Sequence, residues 1–139
     1  MEVKPKLMKS VQVLLVEDNA GDALLVRQAV ADCPVPVKLT IARDGEQALG
    51  MLSERGFEPD LIILDLNMPK IPGHVLLQRY HGKTKPIVVF SAYWNDVDMD
   101  RAFALGVREY VHKPNDLDAF KIAVCAMIQK WALQSTDSR

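Results

Sequence analysis

Leu61-Ile62-Ile63-Leu64-Asp65-Leu66-Asn67-Met68-Pro69 is the stretch on which the fold turns. Four consecutive apolar residues end abruptly on an acid. A strand with one wetted face alternates apolar and polar residues; an unbroken apolar run is buried on both faces, as in a parallel sheet covered by helices on either side. The acid that follows then stands at the carboxyl end of a central strand.

Working outward, four more short apolar runs occur, at Val11–Val16, Val37–Ile41, Ile87–Phe90 and Arg108–Val111. Between and after them lie stretches with helical spacing. Leu24, Leu25, Ala29 and Val30 make one stripe, and Ala48, Leu49 and Leu52 a second. Val75, Leu76 and Arg79–Tyr80 give a short third, and Val97, Ala102, Phe103 and Leu105 a fourth. The last is the clearest: Leu117, Phe120, Val124, Met127, Ile128 and Trp131. Start signals agree. Asp44 precedes Gln47 by three, a capping-box spacing, and Asn115 precedes Asp118 by three, where a carboxylate suits a helix start. Gly56 and Gly106 are placed to end helices. The order βαβαβαβαβα predicts an α/β doubly wound parallel sheet with right-handed crossovers and helices on both faces. In such sheets the chemistry collects at the carboxyl ends of the strands.

The bulk properties narrow the function. The 139 residues suit one domain, and 49% apolar content fills a core without staples. Residues 11–133 are expected to form that domain, with tails at 1–10 and 134–139. A formal charge of −1 gives no basic field for nucleic acid. Lys4, Lys6 and Lys9 read as a solvated tail. No signal peptide is expected, and no apolar stretch approaches the ~20 residues of a membrane span, so a cytoplasmic protein is expected. Cys33 and Cys125 lie far apart, form no metal-ligand spacing, and read as reduced thiols.

The predicted rim carries a specific set. Glu17 and Asp18 follow the first strand, Asp65 the third, Ser91 the fourth, and His112, Lys113 and Pro114 the fifth. Converging carboxylates repel, and a divalent cation relieves the repulsion. Hard oxygen donors select Mg²⁺, with Mn²⁺ or Ca²⁺ as substitutes, over zinc. A carboxylate can also attack phosphorus to give an aspartyl phosphate. Asp65, central in the sheet, is the natural nucleophile. Lys113 offers a point charge to the phosphoryl oxygens, and Ser91 a hydrogen bond.

These residues resemble the receiver domains of bacterial two-component response regulators, the domain of the chemotaxis protein CheY. Val13-Leu14-Leu15-Val16-Glu17-Asp18-Asn19 is similar to the opening strand of that family. Residues Leu61 to Pro69 with Gly73 resemble its phosphoacceptor strand and loop, and Val88-Val89-Phe90-Ser91-Ala92 its hydroxyl-bearing strand. Tyr110-Val111-His112-Lys113-Pro114 resembles the final strand with its lysine and cis-proline. The resemblance covers about residues 10 to 133. It implies a flavodoxin-like, CheY-like (βα)5 fold with strand order 2-1-3-4-5. It implies phosphorylation of Asp65 and a Mg²⁺ held by Asp18, Asp65 and the backbone carbonyl of Asn67, with Glu17 acting through water. It also implies that Ser91 and Tyr110 are the switch pair.

Three departures stand out: Glu17 where the family often has Asp, Pro72 before Gly73 where an acid is frequent, and the aromatic pair Tyr93-Trp94 beside Ser91, whose bulk is expected to slow water's attack on the phosphate. The Glu17-Asp18-Asn19 and Asp65-Leu66-Asn67 details look most like single-domain regulators that partner phytochrome-type sensor histidine kinases. The resemblance implies a signalling protein rather than an enzyme. With only Gln134 to Arg139 after the last helical pattern, the output is expected to be a downstream protein target or altered self-association. Ile122, Cys125, Ala126, Gln129 and Leu133 form a second stripe on the last helix, read as a homodimer face.

Rival readings fare worse. A haloacid-dehalogenase-type phosphohydrolase wants Asp where Asn67 stands. A binding-only pseudo-receiver has no reason to keep Asp18, Asp65 and Lys113 together, and a nucleotide binder lacks a phosphate loop after the first strand. His74, His81 and His112 show no metal-ligand spacing and receive no role.

Overall fold

The computed structural model describes residues 10–68, 72–80, 85–93 and 95–133. Lys4, Lys6, Lys9, Pro69, His81, Trp94 and the stretch from Gln134 to Arg139 lie outside the described residues. The strands are β1 (Val11–Val16), β2 (Val37–Ala42), β3 (Leu61–Leu64), β4 (Ile87–Ser91) and β5 (Glu109–His112). They form one parallel sheet in the order β2-β1-β3-β4-β5. The helices α1 (Ala20–Asp32), α2 (Gly45–Leu52), α3 (Gly73–Arg79), α4 (Asp96–Ala104) and α5 (Leu117–Met127) alternate with the strands. A π-helical turn, Ile128–Ala132, continues α5. The doubly wound α/β fold expected from the sequence and the strand order implied by the family resemblance are both present.

The unbroken apolar runs have the expected cause. Each of Leu61, Ile62, Ile63 and Leu64 is at most 1% exposed, and successive residues face opposite layers. Leu61 and Ile63 join Val13, Leu15, Val88 and Phe90 in a core beneath α1 and α5. Ile62 and Leu64 join Leu14, Val16 and Val89 in a second core that packs Ala48, Leu76, Leu77 and Ala102 of α2, α3 and α4. Phe90 and Phe120 meet edge to face at 5.1 Å, an anchor for α5.

Caps set the helix starts. The side chains of Asn19, Asp44, Asn95 and Asp116 accept the backbone N–H of Asp22, Gln47, Asp98 and Ala119. Gln47 in turn accepts the Arg43 N–H. Gly56 (φ 88°) and Gly106 (φ 101°) adopt the left-handed conformation expected of helix-ending glycines.

Several expectations need correction. The last helix is capped by Asp116, not Asn115. The Lys113–Pro114 peptide, expected cis, is trans, the isomer an X–Pro bond prefers by about 0.5–1 kcal/mol. Leu24, Val97, Phe103 and Leu117 are exposed rather than buried. At 3.6 residues per turn the sheet meets Ala23, Val26 and Ala29 of α1, and Ala102 of α4. Leu24 lies ~100° around from Ala23, and Phe103 ~100° from Ala102, so both turn off the buried stripe. On α5, Ile122, Ala126 and Gln129 are exposed, while Leu133 packs against the core and Cys125 turns toward α1. The second stripe is therefore narrower than its five residues suggested. Cys33 and Cys125 are not separate thiols: α1 and α5 lie side by side, bring the two Cα atoms within 5.7 Å, and the sulfurs form a disulfide.

Candidate functional site

The site is assembled by backbone register. Val16 of β1 pairs with Leu64 of β3. The Asp65 N–H donates to the Val16 carbonyl at 3.0 Å, and the Glu17 N–H to the Ala42 carbonyl at 2.9 Å. At the far side, Ser91 pairs with His112, and the Lys113 N–H donates to the Ser91 carbonyl at 2.8 Å. Glu17, Asp65 and Lys113 are thus each the first residue beyond a strand, held by the last hydrogen bonds of the sheet.

Glu17, Asp65, Ser91 and Lys113 are buried, and Asp18 is exposed at the mouth. One carboxylate oxygen from each of Glu17, Asp18 and Asp65 lies within 4.8 Å of the others. Three hard oxygen donors at that spacing suit a divalent cation of the Mg²⁺ type. The Asn67 N–H donates to Asp65 Oδ1 at 3.0 Å, which fixes the carboxylate on its loop. Asn67 itself is exposed.

Lys113 is the electrostatic centre. Its Nζ donates to Glu17 Oε1 at 2.6 Å, Asp22 Oδ2 at 2.8 Å and Asp65 Oδ2 at 3.3 Å. Burial works to lower its pKa, but the hydrogen bonds to Asp22 and Glu17 and the charges of Asp65 and Glu17 prevail, and the ammonium is held above its ordinary range. Glu17 moves the other way from a normal carboxyl. Burial, with the nearby charge of Asp65, pushes it up to about 7 despite the Lys113 contact.

The two expected switch residues meet through one loop residue. Ser91 Oγ accepts the Tyr93 N–H at 3.1 Å, and the Tyr110 hydroxyl donates to the Tyr93 carbonyl at 3.2 Å. The Tyr93 ring itself is 64% exposed. The approach to the site is shaped by Gly73. A Cβ there would stand 2.7 Å from Leu66 Cδ2 and 2.8 Å from Leu66 Cα, so only glycine lets α3 start against the strand that bears Asp65.

The structure therefore gathers Glu17, Asp18, Asp65, Ser91 and Lys113 at one rim, with Asn67 and Tyr110 alongside. Sequence reasoning missed Asp22. An acid in the first turn of a helix reads as a partner for the helix dipole; the one pointer in the sequence is that this helix starts directly after β1, which puts its first turn over the carboxyl end of the sheet.

Residues 13–125 match the model of the response regulator receiver domain. The response regulator Rcp1 of Synechocystis sp. is 36% identical over 120 residues, covering 79% of this chain and 82% of that protein. Among solved structures, the phosphorylated cyanobacterial phytochrome response regulator RcpA superposes with a TM-score of 0.81 at 31% identity, covering 88% of this chain and 94% of that one. The Mn²⁺-bound form of Rcp1 superposes with a TM-score of 0.77 at 30% identity, covering 86% and 92%.

Proposed function

Because the chain belongs to the response regulator receiver domain family of two-component signalling, we propose that Asp65 accepts a phosphoryl group from the phosphohistidine of a sensor histidine kinase. One observation carries this reading: a carboxylate in mid-sheet, with a buried ammonium 3.3 Å away and two further acids closing the same pocket. Residues 11–133 form the receiver unit.

Asp18, Asp65 and the Asn67 carbonyl would hold a divalent cation, with Glu17 reaching it through water, and the cation would supply positive charge to offset that of the phosphoryl oxygens. The Mn²⁺-bound relative supports such a cation, with Mg²⁺ as its usual form. An Asp65 oxygen forms the new bond to phosphorus as the donor's P–N bond breaks, and the electron pair leaves with the imidazole. Lys113 offsets the charge on the transferred group. The product adds about −1.5 to −2 of charge. Ser91 turns to bond it and gives up the Tyr93 N–H. Tyr110, bonded to the same residue, then turns inward and reshapes the face of α4, β5 and α5. Moving that equilibrium from 1:99 to 99:1 takes about 5.5 kcal/mol, which a few charge-assisted hydrogen bonds of roughly 1.5–3 kcal/mol each supply. The chain catalyses only its own phosphorylation and dephosphorylation.

The kinship with Rcp1 and with the phytochrome regulator RcpA favours a phytochrome-type kinase in the cytoplasm as partner. The output passes to a downstream protein or to a dimer through α5, where Ile122 is 70% exposed. Acetyl phosphate with Mg²⁺ should label the native chain and leave Asp65→Asn unlabelled; stoichiometric labelling of the variant would refute the assignment. Sedimentation with beryllium fluoride should show a dimer that Ile122→Glu weakens. A native chain that stays monomeric with and without the analogue removes the dimer.

A further inference from the structure

The Lys113 ammonium has three protons, and three carboxylates take them. The two shorter contacts, to Glu17 at 2.6 Å and Asp22 at 2.8 Å, are not to the phosphoacceptor. Glu17 and Asp65 also belong to the trio of acids that can face a cation, whereas Asp22 does not. The Asp22 side chain is 30% accessible against 6% for Lys113, so it reaches the ammonium from the solvent side. Its backbone is fixed: the Asp22 N–H donates to the capping Asn19 Oδ1 at 2.8 Å.

The structure assigns to Asp22 the role of a positioning residue that holds Lys113 back from Asp65 and so limits how readily Asp65 is phosphorylated; this rests on the phosphoacceptor reading above. An arriving phosphoryl group needs a proton from Lys113, and every proton is already engaged. One acid must release its share. Glu17 and Asp65 are both among the acids that would face a bound cation, which leaves Asp22 as the standing competitor. Its ion pair is partly exposed and therefore the cheapest to break. Asparagine at this position keeps the shape but offers a neutral, weaker acceptor, whereas glutamate keeps the charge.

The test uses the full native chain, Asp22→Asn and Asp22→Glu, each with acetyl phosphate at saturating Mg²⁺. Rate and apparent KM are read separately, and thermal melts check folding. Asp22→Asn should be labelled about two- to fivefold faster, the size of one partly exposed ion pair, and Asp22→Glu should stay near the native rate. In metal-free protein, the Lys113 ¹⁵Nζ resonance should move and exchange its protons faster in Asp22→Asn, and return in Asp22→Glu. A merely structural role would lower the melting point and slow labelling. A labelled native chain with Asp22→Asn at or below its rate overturns this assignment alone; a native chain that takes no label overturns the phosphoacceptor reading with it.

Discussion

At the scale of single residues, the pocket sets opposing electrostatic demands on Glu17 and Lys113. Glu17 has a folded pKa of about 7 against an ordinary 4.5. Between those values the folded chain holds a proton that the unfolded chain has lost, so its contribution to stability is full below about 4.5 and lost as pH rises through 7. In metal-free protein, urea denaturation across that window should show Glu17→Gln gaining on the native chain by on the order of 3 kcal/mol. A stability difference that stays flat with pH would dispose of this. Mg²⁺ should shrink the effect, since a cation favours the ionised carboxyl. Gly73 is constrained by packing rather than charge. A methyl group at that position meets the Leu66 backbone, so Gly73→Ala should cost about 1–3 kcal/mol in denaturation experiments and weaken cation binding through displacement of the strand-end loop.

At the scale of elements, α1 and α5 act as one layer. They share a core of Val26, Ala29, Phe120 and Val124, and Lys121 donates to Asp32 at 3.0 Å. The disulfide between Cys33 and Cys125 closes a loop with a sequence separation of 92. Cross-links of that kind stabilise mainly by restricting the unfolded chain. Cys33→Ser should therefore lower stability by about 2–4 kcal/mol. Dithiothreitol should lower the native chain to the same level and leave the variant unmoved; equal melting points with and without reductant would show that the link contributes nothing. Farther along, β5 and the π-helical turn are tied by Trp131, whose indole N–H donates to Glu109 at 2.8 Å. The opposite layer is looser at α4, which buries Ala102 while Val97 and Phe103 face outward. In the proposed switch, α4 belongs to the face that is reshaped, and its slight apolar anchorage suits an element of low local stability.

At the scale of the whole molecule, the acids that can share a cation come from the ends of β1 and β3, the central strand and one of its neighbours. A ligand bound there links to global unfolding, because the unfolded chain has no such site. Mg²⁺ at 100 times its dissociation constant should raise unfolding stability by about 2.7 kcal/mol. Asp18→Asn should remove most of that gain with little change in metal-free stability, since Asp18 is exposed. A Mg²⁺-dependent gain that survives the substitution would place the cation elsewhere.

The residues by themselves determined the sheet and the rim. Leu61-Ile62-Ile63-Leu64 is buried on both faces wherever it packs, and the residue after a strand is placed by the strand's own hydrogen bonds, so Glu17, Asp65 and Lys113 were legible as neighbours. What the chain order left open is whatever depends on how a helix rolls against the sheet and which helices lie together. Only tertiary packing turned Leu24, Val97 and Phe103 outward, brought Cys33 to Cys125, and swung Asp22 onto Lys113. Hydrophobic period specifies that a helix has a buried stripe. Which neighbour that stripe meets is settled by contacts between residues distant in sequence, and these carry no local signature.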